Sequence, residues 1–235
     1  MIVYGRNPVR EALRAGRRPV QQVWATRRAL DEPWLRGVRA HEARAEAIEQ
    51  RCGSAAHQGI CAEVGAYPYV GGDELLAEPE PLIVALDELE DPQNVGAICR
   101  TAECVGATGV VLPERRSAEV TPAVCKASAG AVEHLPVARV RNVADFLSAA
   151  KDAGCWCYGA AAEGEGTTPY SEPDYRGGVV LVLGAEGKGL RRRVEQSCDA
   201  LVSLPLRGRI ASLNVSAAAA ALLYEILQQR LDSGS

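Results

Sequence analysis

Two kinds of hydrophobic patterning divide the chain. From residue 82 onward, short apolar runs recur at 82–86, 109–112, 179–183 and, with Ser203 interposed, 200–204. Runs that are apolar at successive positions predict strands covered on both faces, not strands with one wet side. Shorter strands are predicted at 136–140 and 155–160. Between these runs the apolar positions take helical spacing, at 94–105, 121–128 and 142–153, and an Ala-rich helix over 216–231 closes the chain. Strand–helix alternation of this kind predicts an α/β domain with a mostly parallel sheet.

The first part of the chain is more polar. Asn7-Pro8 is a helix start, a capping side chain followed by a proline whose ring suits the first turn, and Gly16 ends that helix after Ala15. Alternation predicts strands at 20–25 and 59–64, and a polar helix over 32–51. Ala77-Glu78-Pro79-Glu80-Pro81 has two prolines, two acids and no apolar period, so it reads as a linker. The predicted organisation is a small α/β domain over 1–76, a linker over 77–81 and a larger α/β domain over 82–235. The glycine-rich stretch 162–178 reads as a mobile surface loop.

Charge and cysteine content narrow the classes. The net charge is −4, which counts against a nucleic-acid partner. The distribution counts the other way, because Arg6, Arg10, Arg14, Arg17, Arg18, Arg27 and Arg28 face one acid, Glu11, within the first 28 residues. Such a patch can contact phosphates, or it can be an ordinary solvated helix face. No Cys-x-x-Cys pair occurs among the 8 cysteines, so reduced thiols are expected and a metal site is not. The N-terminus lacks a signal-peptide core and no apolar run is long enough for a membrane helix, so a cytoplasmic protein is expected.

Chemistry concentrates in three segments, each beginning at or just past the carboxyl end of a predicted strand, where open α/β sheets bind ligands. The first is Asn94-Val95-Gly96-Ala97-Ile98-Cys99-Arg100, with Asn94 read as the helix N-cap. The second is Leu183-Gly184-Ala185-Glu186-Gly187-Lys188-Gly189-Leu190. The third is Ser212-Leu213-Asn214-Val215-Ser216, preceded by Leu204-Pro205-Leu206-Arg207-Gly208-Arg209. Local capping and helix-dipole effects would account for each alone. The second segment is not G-x-G-x-x-G, and no stretch carries the lysine pattern of a P-loop, so neither nucleotide motif is supported.

Taken in order, these segments resemble the SpoU (TrmH-like) family of RNA ribose 2′-O-methyltransferases. The resemblance covers nearly the whole chain. It includes Val3-Tyr4-Gly5-Arg6-Asn7-Pro8-Val9-Arg10-Glu11-Ala12-Leu13, His57-Gln58-Gly59-Ile60 and Lys126-Ala127-Ser128-Ala129-Gly130-Ala131. It is nearest to the bacterial enzymes that methylate a guanosine ribose in the peptidyl-transferase region of 23S rRNA. The small first domain is similar to the substrate-binding domain of such enzymes and favours rRNA over tRNA. The acidic balance and the cysteine content are unusual features.

The resemblance implies S-adenosylmethionine as cofactor, a SPOUT sheet with a C-terminal trefoil knot, a homodimer with the site near the interface, and RNA but neither DNA nor membrane as partner. It implies Arg100, Asn94, Glu186, Ser212 and Asn214 as the catalytic set. Arg100 acts either as a base or as a phosphate anchor and alkoxide stabiliser. Gly184, Leu204, Leu213 and Ala160 would hold the cofactor, and Arg6, Arg10, Arg207 and Arg209 would contact RNA. A tRNA substrate and a silent RNA-binding or assembly factor are the alternatives.

Overall fold

The computed structural model describes residues 1–185, 187–210 and 212–232. The first part of the chain contains strand β1 (Ile2–Tyr4), helix α1 (Arg6–Ala15), strand β2 (Val20–Ala25), short helix α2 (Arg27–Leu30), strand β3 (Ala40–Glu42), helix α3 (Ala45–Cys52), strand β4 (Ile60–Val64) and short helix α4 (Gly72–Leu76). The four strands form one sheet in the order β1-β4-β2-β3. Strand β4 is antiparallel to both β1 and β2, and β3 is parallel to β2.

The second part alternates as the apolar runs predict: β5 (Leu82–Asp87), α5 (Pro92–Cys104), β6 (Gly109–Pro113), α6 (Pro122–Ala127), β7 (Val137–Val140), α7 (Val143–Asp152), β8 (Trp156–Ala160), β9 (Thr167–Pro169), β10 (Val179–Gly184), α8 (Arg192–Glu195), β11 (Ala200–Ser203) and α9 (Val215–Asp232). Its seven-stranded sheet runs β7-β6-β5-β10-β8-β11-β9, and every pairing is parallel. All six residues of β5 and of β10 are buried, as expected of central strands with helices on both faces. Strand β10 inserts between β5 and β8, although β8 precedes it in sequence.

Four expectations are corrected. The stretch 32–51 is not one helix; a turn of 3-10 helix (Pro33–Leu35), β3 and α3 replace it, because β3 completes the small sheet beside β2. The glycine-rich stretch 162–178 holds β9, paired with β11, and the buried Tyr175, whose hydroxyl donates to the Tyr170 carbonyl at 2.7 Å. Asn94 is not the cap of α5; Asp91 is, accepting from the Gln93 amide at 3.0 Å with Pro92 in the first turn. The final helix begins at Val215, with the Asn214 side chain accepting from the Ser216 amide at 2.9 Å.

The two sheets are joined firmly. Tyr67 donates to the carbonyls of Val132 and Leu135 at 2.7 and 3.0 Å, and the Val70 amide donates to the Val137 carbonyl. Leu75 of α4 packs in the apolar cluster of the larger sheet with Ile83 and Phe146. A second apolar cluster runs without interruption from Val3 and Val9 of the small sheet to Val84 and Leu181 of the large one.

Candidate functional site

The carboxyl ends of three adjacent strands, β10, β8 and β11, open onto a cavity of about 600 Å³. That is the size range of a small-molecule pocket. Its walls are mostly backbone and small or apolar side chains. Ala160, Ala161 and Ala162 come from the end of β8, Leu183 to Ala185 from the end of β10, and Leu204 and Leu206 from the chain after β11. Ser212, Leu213, Asn214 and Val215 close it at the start of α9. Thus Gly184, Leu204, Leu213 and Ala160 all line one cavity, together with Ser212 and Asn214.

Glycine is required at 184 by space. A Cβ there would lie 2.2 Å from the Gly189 carbonyl carbon. The chain doubles back at this point, with Ala185 and Gly189 exchanging backbone hydrogen bonds of 3.1 and 2.9 Å. Gly187 and Gly189 take positive φ, 74° and 67°, where other residues are strained. Glu186 lies in this loop but outside the described residues, as does Ala211.

The first and third segments meet directly. Asn214 Nδ2 donates to Asn94 Oδ1 at 2.9 Å, across 120 residues of sequence. Asn214 Oδ1 meanwhile accepts from the Ser216 amide and hydroxyl at 2.9 and 2.5 Å. One side chain therefore caps α9 with its oxygen and ties α9 to α5 with its nitrogen. Asn94 is buried, and Gly96, two residues along, lets α5 press onto α6: a Cβ there would lie 2.4 Å from the Ala127 Cβ.

Arg100 stands apart within one chain. It is exposed, six residues past Asn94 on α5 and so about one-third of a turn off Asn94's face. Among the described residues it makes no ion pair. Arg207 and Arg209 are exposed in the segment between β11 and α9.

The N-terminal arginines are not one free patch. Arg6 pairs with Glu32 at 2.6 Å, and Arg10 with Glu11 at 2.7 Å. Arg14 also reaches Glu11, Arg17 donates to the Leu135 carbonyl, and Arg18 is buried against Glu133. Arg6 nevertheless borders a second hollow of about 420 Å³ with Arg28 and Gln58. Lys126 of α6 reaches this edge of the small domain, its ammonium 5.9 Å from the Tyr4 ring centroid, and burial lowers its pKa. Neither Arg28 nor Lys126 has an acidic partner among the described residues.

Burial pushes the thiols of Cys99, Cys125, Cys157 and Cys198 up to about 12. All eight cysteines are free, and no cluster suited to a metal occurs among the described residues. Sequence reasoning missed Asp87 and Arg191, which form an ion pair at the end of β5. The signal was available, since Asp87 is the one charged residue ending an otherwise apolar strand.

The chain is similar to known proteins over its whole length. The family described as SpoU rRNA methylase matches residues 81–224, and the one described as RNA 2'-O ribose methyltransferase substrate binding matches residues 2–70. A TrmH family tRNA/rRNA methyltransferase of Bacillus subtilis is 45% identical over 74% of this chain and 71% of its own. A tRNA/rRNA methyltransferase of Synechocystis is 39% identical over 97% of this chain, which spans 62% of that relative's length. The solved SpoU methyltransferase AviRb from Streptomyces viridochromogenes, in complex with AdoMet, superposes with a TM-score of 0.81 at 28% identity, covering 99% of this chain and 91% of that one.

Proposed function

Because this chain belongs to the SpoU rRNA methylase family of RNA methyltransferases, we propose that it methylates a ribose 2′-hydroxyl of RNA, with a guanosine in the peptidyl-transferase region of 23S rRNA as its target. The observation that carries this reading is the Asn94–Asn214 hydrogen bond at the rim of the cavity. It joins two of the three chemical segments beside the third.

The cofactor is S-adenosylmethionine, and the cavity suits it. Leu204, Leu206, Leu213 and Val215 offer apolar surface for a purine ring, while the backbone at 160–162 and at Gly184, Ala185, Gly187 and Gly189 offers polar edges. When bound, the group supplies an electrophilic sulfonium methyl. The protein's task is to hold the ribose oxygen in line with that methyl and to favour its loss of a proton. Asn94, Ser212 and Asn214 stand at the cavity end of α5 and α9 and orient the ribose, with Glu186 assigned to the same rim. A guanidinium presents a fork of donors that matches phosphate oxygens. Arg100 is therefore assigned as an anchor for a substrate phosphate and a stabiliser of the developing alkoxide.

A homodimer would complete the site. Leu213, Tyr224 and Leu231 are large apolar side chains left exposed at and along α9, and such a row favours burial by a second copy. Threading of the C-terminal segment into a trefoil knot is supported by the insertion of β10 between β5 and β8. The substrate-binding region over 2–70 supports rRNA as the substrate, with Arg6, Arg10, Arg207 and Arg209 facing its backbone. The domain limits proposed are 1–76 and 82–235. No described helix is long and apolar enough to cross a membrane, and the proposed place of action is the cytoplasm.

The test is transfer of label from S-adenosylmethionine to unmodified 23S rRNA and tRNA transcripts, with the methylated ribose mapped. Label at a 23S guanosine is expected. Label only in tRNA overturns the substrate assignment, and no label in either overturns the enzyme assignment in favour of a binding protein. Arg100→Ala is expected to abolish transfer with the fold intact, so near-normal turnover would remove Arg100 from the mechanism.

A further inference from the structure

Asp87 is wholly buried at the end of β5, and it sits where both ends of the glycine-rich loop 185–190 converge. At the loop's start, Gly184 is the register partner of Asp87 in the β5–β10 ladder. At the loop's end, Arg191 grips both carboxylate oxygens of Asp87. Its backbone amide donates to Oδ2 at 2.9 Å, and its Nε and Nη2 donate to Oδ1 at 2.8 and 2.6 Å. Arg191 also meets Glu88 at 3.4 Å, and Glu88 pairs with Arg116 at 3.1 Å.

Between these ends, Ala185 and Gly189 are tied by their two backbone hydrogen bonds, and side-chain packing adds little at the described cavity-lining positions. Ala185, Gly187 and Gly189 line the cavity and offer almost no side chain for packing. Glycines enlarge the range of conformations that folding must restrict. A buried carboxylate with a single guanidinium partner is a strong directional constraint, since leaving the buried Asp87 charge unpaired is costly, although Arg191 itself reaches solvent. The hydrogen bond pattern is also specific. It fixes the backbone of Arg191, not only its side chain, and so fixes where the loop re-enters α8.

We propose that Asp87 and Arg191 are positioning residues for the cofactor: their ion pair, anchored on the buried Asp87 carboxylate, sets where the chain after Gly184 returns to α8 and hence the shape of the cavity wall that receives S-adenosylmethionine. Neither residue lines the cavity. The proposal rests on the reading of that cavity as the cofactor site.

Four variants test it: Asp87→Asn, Arg191→Ala, Arg191→Lys and the double variant Asp87→Asn/Arg191→Ala. Three quantities are read: Tm, S-adenosylmethionine affinity by calorimetry, and hydrogen exchange of the loop in ligand-free protein. Arg191→Ala leaves a buried carboxylate without its counterion and should lower Tm most. The double variant removes that charge and should recover much of the Tm. Its loop should still exchange fast, and its affinity should stay about tenfold or more below the parent. Arg191→Lys, which keeps charge but loses the fork, should fall between. Recovery of affinity and exchange protection together with Tm in the double variant would show a purely structural pair and overturn the proposal. Failure of the parent protein to bind S-adenosylmethionine would instead refute the cofactor reading, and loop exchange would still decide whether the pair holds the loop.

Discussion

Arg18 and Glu133, 115 residues apart, form a buried ion pair between the small domain and the methyltransferase domain. The Arg18 Nε donates to Glu133 Oε2 at 2.9 Å, a second guanidinium nitrogen reaches the other oxygen, and a third donates to the Gly65 carbonyl at 3.2 Å. The Tyr67 ring lies against the guanidinium at 5.5 Å. A pair this enclosed fixes geometry as much as it stabilises. Arg18→Ala should destabilise the protein by about 3–5 kcal/mol, because Glu133 is left as an uncompensated buried charge. Arg18→Met/Glu133→Leu should be far milder. Urea denaturation of both variants checks this, and equal losses would contradict it.

The double duty of Asn214 separates stability from catalysis. Asn214→Ser keeps an oxygen to cap α9 but loses the donor to Asn94. Asn214→Ala loses both. The alanine variant should be less stable than the serine variant by about 1 kcal/mol, while both lose methyl transfer. If the serine variant turns over normally, the Asn94–Asn214 contact has no catalytic part.

Arg28 borders the hollow on the small domain and Lys126 lies close by, over the Tyr4 ring, and neither has an acidic partner among the described residues. Each should therefore meet an RNA phosphate. Alanine at either position should weaken RNA binding and reduce the slope of log affinity against log salt by about 0.7. S-adenosylmethionine affinity should not change. An unchanged slope would place the RNA elsewhere.

Glu11 gives a pH signature. Burial alone would raise its pKa, but the hydrogen bonds from His134 at 2.9 Å and Arg10 at 2.7 Å, with the charges of Arg10 and Arg14, outweigh burial and hold it below 4.5. A folded-state pKa below the unfolded one means that the unfolded chain takes up the proton more readily. The stabilisation is full above the unfolded value and is lost as pH falls through the folded one. Stability of the parent protein should decline on acidification below about 4.5. Glu11→Gln should flatten that limb, and an unchanged acid limb in thermal melts would show that Glu11 does not contribute.

Much of this was legible in the chain. Continuous apolar runs such as Val179 to Leu183, alternating with helical patterns, fit the interior of a parallel sheet, so the α/β class and most strand positions follow from the sequence. That the chemical segments lie at strand ends also follows, whereas Gly184, Leu204, Leu213 and Ala160 are implied by the family resemblance; all four face one cavity. Tertiary structure decided what depends on contacts distant in sequence. Strand order did, since periodicity is local and says nothing about which strand lies beside which. So did the fate of 32–51, where pairing with β2 outweighed helical propensity, and the division of the early arginines between ion pairs and free cations. The convergence of Asp87, Gly184 and Arg191, and of Asn94 and Asn214, likewise exists only once packing brings segments some 100 residues apart to within hydrogen-bond reach.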